Sequence, residues 1–102
     1  MSFDTISAGN ILKYSEDSRY MIIDIRDRNE YIRGHIPGAI NLPYADFDMY
    51  MRRLSRNKKY IFYCDRGSTS LLAARKCYRN GYDVLSLVGG YVAYEREMRK
   101  SI

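Results

Sequence analysis

The sequence predicts an α/β fold built on a parallel sheet with helices on both faces, and three observations carry that prediction. Short apolar runs rich in β-branched residues, such as Met21 to Ile25 and Lys59 to Cys64, have the pattern of strands buried on both faces. Between them lie segments in which apolar residues recur at helical spacing. Strands that alternate with helices imply right-handed crossovers, hence parallel strands covered on both sides. In such sheets ligands bind at the carboxyl ends of the strands, and that is where the sequence puts Cys64.

The elements follow in order. From Ser7 to Tyr14 the residues Ala8, Ile11, Leu12 and Tyr14 share one helical face, which predicts a short amphipathic helix. Met21-Ile22-Ile23-Asp24-Ile25 is the first strand that can be read from the pattern, and a brief helix over about Asn29 to Ile32 follows the charged segment after it. Gly34, Pro37 and Gly38 punctuate a turn before a short strand, Ala39 to Leu42, stopped by Pro43. Tyr44, Phe47, Tyr50, Met51 and Leu54 give a second helical face with basic residues at its end. Lys59 to Cys64 is an aromatic and β-branched strand, followed by the polar loop Asp65 to Ser70 and a helix from Leu71 to Tyr78 that Asn80-Gly81 terminates. Asp83 to Leu87 reads as a further strand, and Gly89-Gly90 opens a last helix through Ala93, Glu97 and Met98.

The chain of 102 residues, 46% hydrophobic, has the size of one domain spanning 1–102. A net charge of +5 suits an anionic partner without choosing one. Arg52, Arg53, Arg56, Lys58 and Lys59 cluster where a helix ends, the place where cations complement its dipole and stay solvated. No nucleic-acid motif accompanies them, and the 11 tyrosines lack the spacing of a base-stacking platform, so no nucleic-acid partner is expected. No secretory pattern and no apolar stretch near the roughly 20 residues of a membrane span is present. A cytoplasmic protein with no membrane partner is therefore expected. Two cysteines and one histidine make neither a disulfide scaffold nor a metal site, and no metal or cofactor is expected.

Cys64 ends a strand immediately before a polar loop and a helix, and in the first turn of a helix backbone N–H groups lack intrahelical partners and the helix dipole is positive. Anions bind at such places. Asp65, Arg66, Gly67, Ser68, Thr69 and Ser70 form a loop of mostly small residues, and Gly67 lets the backbone approach a ligand closely. A cysteine at the base of this cradle has its thiolate favoured and becomes a nucleophile. The plainer reading stands beside it: a cysteine at a strand end is often a small buried hydrophobe, and a Gly-Ser loop is often only a helix cap. Arg66 adds positive charge and Asp65 opposes it, and which of them faces inward stays open at this point.

A resemblance favours the nucleophile. Ile23-Asp24-Ile25-Arg26, Glu30-Tyr31 and Gly34-His35-Ile36-Pro37-Gly38-Ala39-Ile40-Asn41-Leu42-Pro43 resemble the N-terminal signature of the rhodanese superfamily. Tyr60 to Ser70 resembles its active-site strand and loop, and Val88-Gly89-Gly90-Tyr91-Val92-Ala93-Tyr94 its C-terminal signature. The resemblance implies a three-layer rhodanese-like fold with a central parallel sheet of about five strands. It also implies that Cys64 accepts a sulfane sulfur as a persulfide, with the amides of residues 65–70 around the outer sulfur. The expected activity is that of a sulfurtransferase, moving sulfur from a donor (a small sulfur-containing anion such as thiosulfate, or a persulfide) to cyanide or to a thiol or protein acceptor. The alternative is a non-enzymatic sulfur-carrier or docking module with little turnover alone. Members active on thiosulfate often carry a basic residue five positions after the cysteine; here that residue is Thr69, which counts against thiosulfate as the natural donor. Dual-specificity phosphatases, which are related, use a longer loop with arginine six positions after the cysteine. Here that place is Ser70, so phosphoester hydrolysis is not expected.

Asp24 and Arg26 leave their strand at the same edge as Cys64 and are expected to brace the loop through a charge-assisted pair. His35 is expected to be a hydrogen-bonding turn residue. Cys77, within the helix after the loop, is expected to be a packed core thiol that stays well away from Cys64. A redox or arsenate-reducing role would need it as a resolving thiol. Gly89-Gly90 lacks the other glycines of a nucleotide fingerprint. The pattern leaves the oligomeric state open.

Overall fold

The computed structural model describes residues 3–100. Strands β1 (Asp4–Ile6), β2 (Tyr20–Asp24), β3 (Ile40–Asn41), β4 (Lys59–Tyr63) and β5 (Asp83–Leu87) form one sheet in the order β1-β5-β4-β2-β3, every neighbouring pair parallel. The helices are α1 (Ile11–Ser15), α2 (Arg28–Arg33), α3 (Phe47–Met51), α4 (Ser68–Arg79) and α5 (Gly90–Lys100). This is the α/β architecture that the alternation of periods predicts.

The period-2 alternation of strand side chains divides the core into two layers. From β4, Tyr60, Phe62 and the following Cys64 pack with Phe47 and Met51 of α3 and with Ala73, Ala74 and Cys77 of α4. The intervening Ile61 and Tyr63 pack on the other face with Ile11 of α1 and Tyr94 of α5. Each fully buried large side chain, Phe47, Phe62 and Ile61 among them, contributes on the order of 2 kcal/mol. The middle strand is thereby held from both sides, and its carboxyl end, where Cys64 follows, is a fixed point.

Four differences from the predicted elements have physical causes. β1 gives no sequence signal, because this edge strand has only three residues, of which Asp4 and Thr5 are exposed and Ile6 alone packs on the core; it pairs with β5, Asp4 opposite Leu85 and Ile6 opposite Leu87. β3 is shorter than Ala39 to Leu42; Gly38 turns the chain at φ +84° just before it, and Pro43 has no N–H to continue the ladder. The helix expected from Tyr44 to Leu54 is a 3-10 turn, Tyr44–Asp46, and then α3; it buries Phe47 and Met51 but leaves Tyr50 exposed. Finally, α4 begins at Ser68, three residues before Leu71, so half of the expected loop is the first helical turn.

The basic cluster serves as a set of fasteners. Arg56 lies 4.1 Å over the Tyr82 ring and donates to the Asn80 carbonyl, while Lys58 Nζ donates to the Ser18 carbonyl at 2.8 Å. No helix among the described residues is long and apolar enough to cross a membrane.

Candidate active site

Cys64 directly follows β4, and Gly67 at φ +103° turns the chain into α4. A left-handed conformation of this kind favours glycine, and a Cβ there would sit 3.4 Å from the Gly89 nitrogen. The turn brings two backbone N–H groups onto the sulfur: Gly67 donates to Cys64 Sγ at 3.1 Å and Ser70 at 3.4 Å. Ser68 and Thr69 lie in the same first turn, whose N–H groups have no partner within the helix. The Ser70 hydroxyl secures the turn by donating to the Gly67 carbonyl at 3.1 Å, and it meets the Ser86 hydroxyl of β5 at 3.2 Å.

Cys64 as a residue is only 6% exposed, yet it forms part of the wall of a cleft of about 400 Å³. The other walls are Ile25, Arg26, Asp27 and Glu30 after β2, Tyr44 and Ala45 after β3, and Asp65, Arg66, Ser68 and Thr69 of the loop and helix start. Cys64 thus lines an opening at the carboxyl end of the sheet. Both Asp65 and Arg66 line it. Asp65 turns toward Arg26, with Oδ1 3.7 Å from its guanidinium.

The loop is clamped from the far side by the start of α5. Tyr91 N–H donates to the Cys64 carbonyl at 2.8 Å and Val92 N–H to the Asp65 carbonyl at 3.0 Å. That approach depends on Gly90, at φ +61°, where a Cβ would strike the carbonyl oxygens of both Cys64 and Asp65. Gly89-Gly90 therefore serves as a clamp.

Asp24 and Arg26 form a buried pair beside the loop, with their side chains 0% and 5% exposed. Arg26 donates through Nε at 3.1 Å and through a terminal nitrogen at 2.8 Å, and its backbone N–H adds a third bond to the same carboxylate at 2.9 Å. Tyr63 completes the arrangement, donating its hydroxyl to Asp24 at 2.6 Å and accepting the Ile36 N–H at 3.2 Å. Arg26 also donates to the Gly34 carbonyl at 2.6 Å and stacks 4.1 Å over the Tyr91 ring. Burial opposes the guanidinium charge, but the Asp24 carboxylate outweighs it and holds Arg26 more firmly protonated than usual. Burial, then the bond to Asp24, pushes the Tyr63 hydroxyl up.

Outside the cleft, His35 donates from Nδ1 to the Tyr31 carbonyl at 2.8 Å and stacks on the Tyr31 ring at 3.8 Å, the turn-residue arrangement expected of it. Cys77 is fully buried on α4, where burial pushes its thiol up to about 12. Both cysteines are free.

The residue pattern did not single out Glu30, Asp27, Tyr44 and Ala45 as cleft walls, nor Tyr63, Ser86 and Tyr91 as supports. Glu30 and Tyr91 do fall inside signature blocks, which was the available signal; Tyr44 and Ala45 lie outside any of them. Burial first, then the neighbouring Asp65 carboxyl, raises Glu30 above the usual carboxylate range.

Comparison with known proteins bears on the family and the fold. A thiosulfate sulfurtransferase, GlpE, from Pseudoalteromonas translucida is 35% identical over 96 residues, 93% of this chain and 91% of that protein. A tRNA sulfurtransferase from Desulfurococcus amylolyticus is 40% identical over 81 residues, but the match covers 79% of this chain and only 16% of that much longer protein. Among solved structures, a rhodanese-related protein from Thermoplasma volcanium superposes with a TM-score of 0.86 at 26% identity, over 93% of both chains. The rhodanese-like domain family matches residues 7–97, from the start of the first helical segment to the last helix. With its five-stranded parallel sheet and with relatives that are named sulfurtransferases, the chain belongs to the rhodanese-like domain family.

Proposed function

We propose that the chain is a sulfurtransferase in which Cys64 takes a sulfane sulfur from a donor, holds it as a persulfide and passes it to a thiol or to cyanide. The observation that carries this reading is the pair of backbone N–H groups, from Gly67 and Ser70, converging on Sγ of Cys64, a residue that lines an open cleft. Such donors stabilise negative charge on sulfur without having to reorganise as the charge develops. In the first half of the cycle, Sγ forms a bond to the donor's outer sulfur while the donor's S–S bond breaks and its electron pair leaves on the carrier. In the second half, an acceptor thiolate attacks the outer sulfur of the Cys64 persulfide and the pair returns to Sγ. The N–H groups of Ser68 and Thr69, which have no intrahelical partner in the first turn of α4, hold the outer sulfur between the two steps in this reading. Asp24 and Arg26 act at a distance, keeping Asp65 and the loop in register with β2. The cycle needs no metal or cofactor, and reduced thiols as acceptors suit the cytoplasm.

The test is intact-mass spectrometry after incubation with sulfur donors: the chain gains one sulfur atom, and the gain maps to Cys64 and reverses on addition of a thiol. Failure of every donor to sulfurate Cys64 rejects the proposal.

A second reading, a sulfur-carrying module with little turnover alone, is favoured by the tRNA sulfurtransferase match, in which the corresponding segment is one part of a longer protein. Kinetics separate the two. An enzyme turns over with small donors and acceptors, whereas a module is sulfurated by a protein donor and shows negligible turnover without it.

A further inference from the structure

The charge around Cys64 has the opposite sign to the charge of the chain as a whole. The chain is formally +5, but its cleft is walled by Asp27, Glu30 and Asp65 against two cations, Arg26 and Arg66. Arg26 is already engaged, paired with buried Asp24 at 2.8 Å and with Asp65 at 3.7 Å. Arg66 makes no ion pair among the described residues and is the one guanidinium left for an incoming anion. Glu30 stands in the same wall as Asp65, and burial first, then the Asp65 carboxyl, raises its hold on its proton. A negative charge entering beside the carboxylates of this wall is repelled, and low-dielectric walls strengthen the repulsion.

We propose that Glu30, together with Asp65 and Asp27, determines which donors reach Cys64: it turns away dianions such as thiosulfate and favours sulfane-sulfur carriers bearing an ammonium or guanidinium group near the transferable sulfur. This rests on the reading of Cys64 as the sulfur acceptor. It names the class of donor that reading leaves open.

Three donors that transfer sulfur from the same kind of bond isolate the charge: aminoethanethiosulfonate, a zwitterion; methanethiosulfonate, a monoanion; and thiosulfate, a dianion. In each, Sγ forms a bond to the outer sulfur, the S–S bond breaks, and the electron pair leaves on a sulfinate or, for thiosulfate, on sulfite. The second-order rate of Cys64 sulfuration, read by intact mass, is expected to fall in that order by about fivefold per unit of negative charge at low ionic strength. Raising the salt to about 0.5 M compresses the spread, because exposed charges are then screened within a few ångströms. Glu30→Gln compresses it as well, chiefly by speeding thiosulfate. Asp27→Asn does the same to a smaller extent; this exposed residue makes no capping bond to α2, so the variant keeps the fold. Rates that do not track donor charge, or a spread that neither variant alters, overturn the charge selection while leaving Cys64 as the acceptor. Sulfuration by none of the three donors overturns both.

Discussion

The two cysteines lie on the same face of the sheet, in the same buried cluster, and are both free, yet their surroundings are opposite. Cys64 directly follows a strand, receives N–H groups from Gly67 and Ser70, and forms part of the wall of a cleft. Cys77 sits on the inner side of α4, fully buried, with its thiol pushed up to about 12 by burial. Burial alone therefore does not decide what a thiol does. What differs is the helix position each one meets. Cys64 faces the first turn of α4, where N–H groups look outward for a partner, and Cys77 belongs to a later turn, where every N–H is already used along the helix axis.

The sharpest way to break this contrast is to exchange the two thiols for hydroxyls one at a time. Cys64→Ser is expected to abolish sulfur uptake, whereas Cys77→Ser keeps it and loses about 1–3 kcal/mol of stability, because its hydroxyl enters an apolar site. Intact mass with each donor, and urea unfolding of each variant, check the pair. Equal loss of uptake in both variants would make the contrast meaningless.

Next in size is the support behind the loop. Asp24 accepts bonds from Arg26 and from Tyr63, so Asp24→Ala leaves a guanidinium and a hydroxyl buried without their partner. A loss of about 3–5 kcal/mol is expected, together with a fall in sulfuration rate under conditions where the protein is still folded. Chemical denaturation and the rate measured well below the unfolding midpoint separate the two effects. A variant as stable and as fast as the parent would remove the brace from the mechanism. Gly90→Ala acts on the opposite side of the loop. Its Cβ would meet the carbonyls of Cys64 and Asp65 at a backbone angle that disfavours alanine, and about 2–4 kcal/mol of destabilisation with slower sulfuration is expected. An unchanged rate would mean that the clamp does not position the cysteine.

The same contrast explains how far the sequence could be read. The interior of the sheet was legible because Ile22, Ile23, Ile61 and Phe62 lie on central strands, where burial on both faces leaves a continuous apolar run. The edge strand β1 was not, since Asp4 and Thr5 are exposed and Ile6 is its one residue packed on the core, too little for a pattern. At the site, Cys64 and residues 65–70 could be located from a strand, a glycine and a helix start in succession, and Asp24 with Arg26 from their place at the end of β2. The start of α4 at Ser68 was hidden because Ser68, Thr69 and Ser70 carry no apolar periodicity. Glu30, Tyr44 and Ala45 come to the cleft from other strand ends. No local pattern announces a wall assembled from segments separated along the chain.

The smallest effect concerns pH and tests the inert half of the comparison. Cys77 holds its proton to about 12 in the folded chain, against an ordinary value of 9.0. Burial likewise raises Tyr60, Tyr91 and Tyr94, and Tyr63 most strongly. Each is an acid that the folded state keeps protonated after the unfolded state has released its proton. Their contribution is therefore fully present below about pH 9 and is lost as the pH rises through the folded values. Cys77 alone contributes a slope of up to about 1.4 kcal/mol per pH unit in that window. In a Cys64→Ser background, the stability gap between the parent and Cys77→Ala should narrow steadily from about pH 9 to about pH 10.5, because only the parent carries the thiol whose release favours unfolding. Urea denaturation at a series of pH values measures that gap. A gap that stays constant would mean that Cys77 meets water or a hidden cation, and the distinction between a thiol served by amides and one sealed in hydrocarbon would fail at its simpler end.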